Sequence, residues 1–372
     1  MRVDWLSLID FRSYKSLDWS PDPGVNLLIG PNGAGKTNVL EATGYLASLK
    51  SFRSVTDASL ISDEASAAVI RAGITSEERE RLIEIEIPAQ GQRRTQVDKT
   101  RLKRTADLLG VVRVIAFLPE DLDLVKRGPA YRRDLLDDIA VQLWPAAHLD
   151  QSEYERSLRQ RNAFLKTGER DDATLSVWDS RLAQTGGRVL ARRSSVVEIV
   201  APMLREAYQE IAAEETHAGF TYKPSWAEVF DSRSAGEYAD QISEALENVR
   251  RADYDRRMTT VGPHRDEPGF SIDGHETRVH GSQGEQRTTA LAVKLAAHRA
   301  VADAVGEPPV LLLDDVFSEL DPQRSEALAG ALPVDTQTLI TSARPEDVPL
   351  RGTKWRVGGA EGLSIGTETS HG

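Results

Sequence analysis

The stretch Gly30-Pro31-Asn32-Gly33-Ala34-Gly35-Lys36-Thr37 follows the apolar run Val25 to Ile29 and leads into NVLEATGYLASL, a helix-forming sequence. This is the spacing G-x-x-x-x-G-K-[ST], with the strand before it and the helix after it that phosphate binding requires. Its glycines let backbone N–H groups turn inward around phosphate oxygens, and the helix N-terminus adds partial positive charge. Lys36 is placed to bridge the β- and γ-phosphates and the Thr37 hydroxyl to ligate Mg²⁺, so ATP with Mg²⁺ is the expected cofactor. The complement is PPVLLLDDVFSELD, in which an apolar run ends in Asp314 and Asp315. A buried parallel strand would deliver these carboxylates at its C-terminal edge, Asp314 to hold Mg²⁺ through water and Asp315 to polarise an attacking water. Lys36 and Asp315 are the catalytic candidates.

Other stretches allow two readings. In GSQGEQR, Ser282 and Gly284 open a helix-forming segment and could offer a hydroxyl and N–H groups to an anion. Ser282 with Glu285 would equally form a plain capping box. GQRRTQVDKTRLKR, residues 91–104, carries Arg93, Arg94, Lys99, Arg101, Lys103 and Arg104 against the one acid Asp98. On a twisted hairpin these would present a cationic strip to DNA phosphates, or else keep a sheet edge soluble. Arg156, Arg159 and Arg161 are further cationic candidates, Arg161 with a structural alternative. His264 and Arg265 have no second His nearby and the chain has no Cys, so hydrogen bonding is expected there and zinc is not.

The elements that must position these groups follow from periodicity. Val3 to Ile9 and Val25 to Ile29 read as strands. The alternation between Ala67 and Thr105, as in LIEIEI, gives short strands joined by QGQRR, and Val111 to Leu118 gives a buried strand closed by Pro119. Residues 131–258 read as largely helical, with Leu175, Leu182, Val189, Val196 and Met203 at seven-residue spacing over a helix of roughly forty residues. Gly186-Gly187 interrupts that pattern. From Thr260 onward α/β alternation returns, with a helix at about 284–305, a strand at 310–313, a helix after Pro322 and a strand at Thr338 to Thr341. The expected architecture is an α/β ATPase lobe built from both chain ends, residues 1–120 and 259–372, with an inserted, mostly helical arm at 121–258. The 372 residues suffice for that, and the formal charge of −12 argues against a generally basic coat protein while allowing a local basic groove. The absence of Cys excludes disulfides, Cys-zinc sites and iron–sulfur clusters. Apolar runs are too short to span a bilayer and the first residues lack a signal-peptide core, so a cytoplasmic protein without membrane contact is expected.

Taken in order, GPNGAGKTNVLEA (30–42), FLPEDLDLVKRGPAYRRDLLD (117–137), QRNAFLK (160–166), GPHRDE (262–267), SQGEQR (282–287) and LLLDDVFSELD (311–321) resemble the ABC-type ATPases of the structural-maintenance group, most closely the RecF family of bacterial recombination-mediator proteins. The resemblance implies an ATP-dependent homodimer in which Ser282 and Gly284 of one protomer act in trans on the nucleotide held by the partner. It implies that Ser318 to Asp321 form a D-loop at that interface and that Arg12, in Phe11-Arg12-Ser13-Tyr14, approaches the phosphates. It further implies binding of double-stranded, gapped or junction DNA, cooperation with RecR- and RecO-type mediators, and help in loading a RecA-type recombinase. The sequence departs from the wider pattern at four places. Gly281 stands where many ABC proteins have Leu, ITSARPED has no switch His, FLPED has Glu120 or Asp121 in place of a Q-loop Gln, and Asp315 replaces Glu. These departures imply slow hydrolysis, with ATP serving mainly as a dimer clamp. A transporter subunit or a nuclease-associated ATPase is the alternative.

Overall fold

A computed structural model describes residues 1–212, 216–227 and 234–358, with the backbone of 365–367. The chain forms two compact units, one comprising Met1–Leu122, Ala207–Glu215 and Ala290–Gly372, the other Asp123–Glu206 and Thr216–Thr289. In chain order the elements are β1 (Arg2–Phe11), β2 (Tyr14–Trp19), β3 (Val25–Ile29), α1 (Lys36–Ser48), β4 (Ala67–Ser76), β5 (Arg79–Pro88), β6 (Arg94–Val97), β7 (Thr100–Arg101) and β8 (Val114–Phe117). Then come α2 (Pro129–Leu143), α3 (Ala147–Thr167), α4 (Asp172–Ala212), β9 (Ala218–Lys223), α5 (Ala235–Arg256), β10 (Glu267–Ile272), β11 (His275–Glu276) and α6 (Thr277–His280). The chain continues through α7 (Gln283–Val305), β12 (Val310–Asp314), α8 (Pro322–Ala331), β13 (Thr338–Ser342), β14 (Thr353–Val357) and β15 (Ile365–Thr367).

The first unit is built on two sheets. One has the order β15-β14-β3-β13-β12-β8, with every neighbouring pair parallel except β14 and β15. Parallel strands covered on both faces read as unbroken apolar runs, and VLLLD and TLITS are buried at every position. The second sheet, β2-β1-β4-β5-β6-β7, is antiparallel, and its long pair β4 and β5 stays in register from Ala67↔Pro88 to Ser76↔Arg79. Alternation in LIEIEI buries Ile83, Ile85 and Ile87 while Glu84 and Glu86 remain half-buried, the pattern of a half-covered strand. Strand β2 carries no clean alternation in its sequence, because YKSLDW puts only Tyr14, Leu17 and Trp19 inward.

The second unit combines α2 to α5 with a three-stranded sheet, β11-β10-β9. Two sequence boundaries change here. Residues 218–223 lie inside the segment whose sequence reads as largely helical, yet AGFTYK is a strand that buries Ala218, Phe220 and Tyr222 in alternation. Its partner is β10, from Glu267↔Lys223 to Ile272↔Ala218, with Phe220 and Phe270 stacked at 4.6 Å. That pairing keeps residues 259–289 with the inserted unit rather than with the C-terminal ATPase segment.

Helix α4 runs 41 residues. Leu175, Leu182, Val189 and Val196 are buried, but at the fifth heptad position Leu204 is fully buried in place of Met203. A straight α-helix drifts about 20° per heptad against a strict seven-residue repeat, so by the fifth position the buried stripe has moved by nearly one residue. Gly186 and Gly187 are a close-approach device: a Cβ on Gly187 would collide with the Ala235 carbonyl at the start of α5, and one on Gly186 would press on Ile242 at 3.0 Å.

Candidate functional site

The loop between β3 and α1 turns at Gly33 (φ 82°) and Gly35 (φ 100°), left-handed conformations that favour glycine. Tyr14 donates to the Gly35 carbonyl at 3.1 Å, and a Cβ on Gly35 would stand 2.8 Å from that hydroxyl. β2 therefore braces the loop from behind. Lys36 Nζ donates to the Gly30 and Pro31 carbonyls at 2.6 and 3.0 Å, so the ammonium lies along the loop's inner rim. Burial lowers its pKa, and the charges of Asp315 and Asp314 push the other way.

Thr37, on the first turn of α1, donates to Asp314 Oδ1 at 2.8 Å, and Thr341 donates to the same oxygen at 2.7 Å. Asp314 and Thr341 sit opposite each other in the β12–β13 register. Burial raises the Asp314 pKa; the two hydroxyl donors, and the Arg53 guanidinium, act against it. Asp315 follows in the left-handed region (φ 50°), its N–H held by the Thr341 carbonyl at 3.2 Å and the Thr341 hydroxyl at 2.9 Å. Its Oδ1 is buried without a hydrogen-bond partner among the described residues. Ser318 donates to the Asp315 carbonyl at 2.7 Å, and Asp321 caps α8 by accepting from the Arg324 N–H.

This donor set fits Mg²⁺. Thr37 Oγ1 and Asp314 Oδ1 are hard oxygens 2.8 Å apart, close to the separation of about 2.9 Å between adjacent ligands in an octahedral shell with 2.0–2.1 Å bonds. Among the described residues no group of three or more His, Asp or Glu could enclose a metal alone. That suits an ion which retains waters and is shared with substrate phosphates.

Arg12 has its guanidinium forked onto Glu41, at 2.8 and 2.6 Å, and donates to the Ser59 carbonyl at 2.8 Å. Glu41 is fully buried and also accepts from Ser51 at 2.5 Å, with Arg53 at 3.8 Å. Arg12 is thus a packing member of the α1 surroundings. Asp121 accepts from the Leu118 N–H and pairs with Lys294 at 2.9 Å, whereas Glu120 is exposed.

Around α7 the capping box forms: Glu285 accepts from the Ser282 N–H at 2.6 Å and Ser282 Oγ from the Glu285 N–H at 3.2 Å. Ser282 remains exposed and Gly284 half-exposed. The Gly281 departure has a steric cause, since a Cβ there would lie 2.5 Å from the Thr277 carbonyl that accepts its N–H.

The cationic hairpin divides. Asp98 and Lys99 form a two-residue turn with φ of 51° and 63°, the signature of a type I′ hairpin, between the paired residues Val97 and Thr100. Lys99, Arg101 and Lys103 are exposed and make no salt bridge among the described residues. Arg94 is exposed but paired with Glu86 at 3.3 Å, its register partner on β5, and Arg104 is forked onto Asp107. Arg93 points inward, donating to Tyr45 at 2.8 Å and the Leu49 carbonyl at 2.5 Å, with Asp57 at 3.3 Å. It anchors the hairpin to α1 instead of joining an outer strip.

Arg161 is also inside. It is fully buried and bonds Asp179 and Asp253, each at 2.7 Å, and Thr259 at 2.9 Å. His264 donates from Nε2 to the Thr259 carbonyl (3.3 Å) and accepts at Nδ1 from the Tyr154 hydroxyl (2.6 Å), and burial holds its pKa down at about 4. Thr341 is the site residue that sequence reasoning missed. The signal is its position near the end of a buried strand beside the acid-bearing one.

Residues 2–354 match the family described as the RecF/RecN/SMC N terminal domain. The chain is 39% identical to the DNA replication and repair protein RecF of Streptomyces avermitilis over 96% of its length and 98% of the relative's. It is 40% identical to the protein of the same name in Frankia alni, over 98% and 99%. A solved structure of the recombination mediator protein RecF-ATPrS in the RecFOR pathway superposes with a TM-score of 0.90 at 28% identity, covering 98% of both chains. An SmcHead bound to the C-winged helix domain of ScpA shares the fold, with a TM-score of 0.59 at 15% identity, covering 100% of this chain and 98% of that one. No helix among the described residues is long and apolar enough to cross a membrane.

Proposed function

The chain belongs to the RecF family, and on that premise we propose that it is an ATP-dependent, DNA-binding mediator of recombination and repair acting in the cytoplasm. The observation that carries this reading is the hydrogen bond from Thr37 to Asp314, which joins the phosphate loop to the acid-bearing strand across 277 residues of chain. The N–H groups of the loop and the Lys36 ammonium bind the phosphates, Thr37 and Asp314 hold Mg²⁺, and Asp315 orients water. Mg²⁺ would supply neutralisation of phosphate charge. Ser282 and Gly284 of one protomer meet the γ-phosphate held by the partner, so ATP clamps a homodimer and is hydrolysed slowly. Lys99, Arg101 and Lys103, flanked by Arg94 and Arg104, take DNA phosphates; duplex, gapped or junction DNA is the ligand class. RecR- and RecO-type mediators and a RecA-type recombinase are the proposed partners, by membership of the family.

Sedimentation velocity with ATP or a slowly hydrolysed analogue tests the clamp. Wild type is expected to dimerise. Ser282→Arg should stay monomeric with nucleotide binding retained, and so should Ser282→Asp, which keeps the N-cap but sets a carboxylate against phosphate. Lys36→Met should lose nucleotide binding, dimers and DNA retention together. Equal dimerisation of wild type and both Ser282 variants would refute the trans arrangement.

A further inference from the structure

The strand order β3-β13-β12 sets β13 between the strand that leads into the phosphate loop and the strand that carries the acids. Thr341, next to last on β13, stands opposite Leu28 on one side and Asp314 on the other. Every residue of β13 is buried, Thr341 to 1% exposure. A hydroxyl at such a position costs stability unless it is bonded. A threonine hydroxyl has one hydrogen to donate and lone pairs that accept, and both are in use. The hydrogen goes to Asp314 Oδ1 at 2.7 Å, and a lone pair takes the Asp315 N–H at 2.9 Å. Valine has the same shape and can do neither, whereas serine can do both and lacks only the methyl.

The two bonds act on the two acids differently. Asp314 Oδ1 also accepts from Thr37 at 2.8 Å, so a pair of hydroxyls sets the rotation of that carboxylate. Asp315 makes a left-handed turn (φ 50°), a conformation that is costly for residues other than glycine. Its peptide groups are gripped on both sides of that turn, the N–H by Thr341 and the carbonyl by the Ser318 hydroxyl at 2.7 Å. The neighbouring Ser342 has another task, since its hydroxyl donates to the Arg344 carbonyl at 2.8 Å and accepts from the Arg344 N–H at 3.1 Å. In the segment ITSARPED, which has no His, the side chain bonded to the acids among the described residues is therefore that of Thr341.

We propose that Thr341 is the positioning residue of the acid pair: its hydroxyl sets the Asp314 carboxylate for the metal and fixes the turn that aims Asp315, while its methyl serves packing alone. The proposal rests on the Mg²⁺–nucleotide reading of this site. The test measures the affinity of full-length protein for a fluorescent ATP analogue in Mg²⁺ and in EDTA, together with single-turnover hydrolysis. The variants are Thr341→Val, Thr341→Ser and Asp314→Asn. The ratio of the two affinities isolates the metal-dependent part, and binding in EDTA reports the phosphate loop and an intact fold. Thr341→Ser should keep the wild-type ratio within about threefold, whereas Thr341→Val should lose about tenfold in the ratio and in the hydrolysis rate, with binding in EDTA unchanged. Asp314→Asn should abolish the Mg²⁺ effect. A packing role would give the reverse order, since Val keeps the methyl and Ser loses it. If Thr341→Val matches wild type, or Thr341→Ser is no better than Val, while Asp314→Asn loses the Mg²⁺ effect, the positioning role is overturned and the nucleotide reading stands. A Mg²⁺ effect that survives Asp314→Asn overturns the metal reading, and this proposal with it.

Discussion

Arg161 gives the sharpest test of where cations act. If Arg161 were a DNA contact, Arg161→Met would weaken DNA binding and leave stability alone. The structure puts it at full burial between Asp179 and Asp253, which reverses the expectation. Removing one member of a buried ion pair costs about 3–5 kcal/mol, because the remaining charge stays buried and uncompensated. The two acids differ in what they retain. Asp179 still has Arg250 at 3.0 Å, while Asp253 keeps only the Thr260 N–H and hydroxyl, at 3.0 and 2.6 Å. One orphaned carboxylate rather than two places the loss near the lower end, about 3 kcal/mol. For a unit of roughly 160 residues, 1 kcal/mol shifts Tm by about 2–4 °C, so a drop of about 6–12 °C is expected. Calorimetry on wild type, Arg161→Met and Arg161→Lys measures it. Lys should recover only part, since one ammonium cannot fork to two carboxylates and Thr259 together. DNA affinity, measured well below the transition, should not change. A Tm within about 2 °C of wild type together with weakened DNA binding would refute the argument.

Charge reversal of the exposed cations, as Lys99→Glu, Arg101→Glu and Lys103→Glu together, should weaken DNA binding for all sequences and reduce the slope of log K against log salt by about 2–3, with ATP-dependent dimers intact; unchanged fluorescence anisotropy titrations would defeat the hairpin as a contact. Arg93→Ala should instead leave the salt slope alone and cost about 1–3 kcal/mol of stability in denaturant titrations, since its hydrogen bonds run to Tyr45 and Leu49. His264 titrates at about 4 in the folded chain against an ordinary 6.5. Between these values the unfolded chain binds a proton that the folded chain refuses, so stability falls as pH falls through this window, by at most about 1.4 kcal/mol per pH unit. Wild type should lose more stability than His264→Gln between pH of about 7 and about 5, and equal slopes in urea unfolding would exclude the assignment.

What was legible in the sequence depended on how local the cause was. The phosphate loop is a run of eight neighbouring residues whose glycines, lysine and threonine each answer to one local requirement, and it folds as read. So does Val310–Asp314, whose apolar run has one stable place, between two parallel neighbours in a covered sheet. The cations were less legible because a side chain's partner is set by register. Arg94 meets Glu86 since β5 and β6 pair those residues, and nothing in GQRRTQVDK announces that pairing. Arg93 and Arg161 look like their exposed neighbours in composition, and their burial comes from segments 18 to 98 residues away. Strand β9 was lost for a related reason. Its six residues gain their identity from β10, a segment that follows in the chain only after helix α5.

The geometry at the acid-bearing strand bears on how ATP would be used. A general base must come within hydrogen-bond reach of the proton it takes. Asp315 is one methylene shorter than the glutamate more usual at that place, and its backbone is held in the left-handed region by two acceptors on Thr341. A longer side chain could compensate for that constraint by rotating; the shorter one has less range. One of its carboxylate oxygens is buried without a partner, a state that costs about 1–3 kcal/mol, and a bound water or metal-shell ligand would relieve it. The groups on the binding side are arranged otherwise. Thr37, Asp314 and Thr341 share one oxygen and unite three segments, so these side chains fix one another's positions. On the proposed function, preorganised binding groups beside a short, restrained Asp315 favour ATP as a clamp over ATP as a fuel.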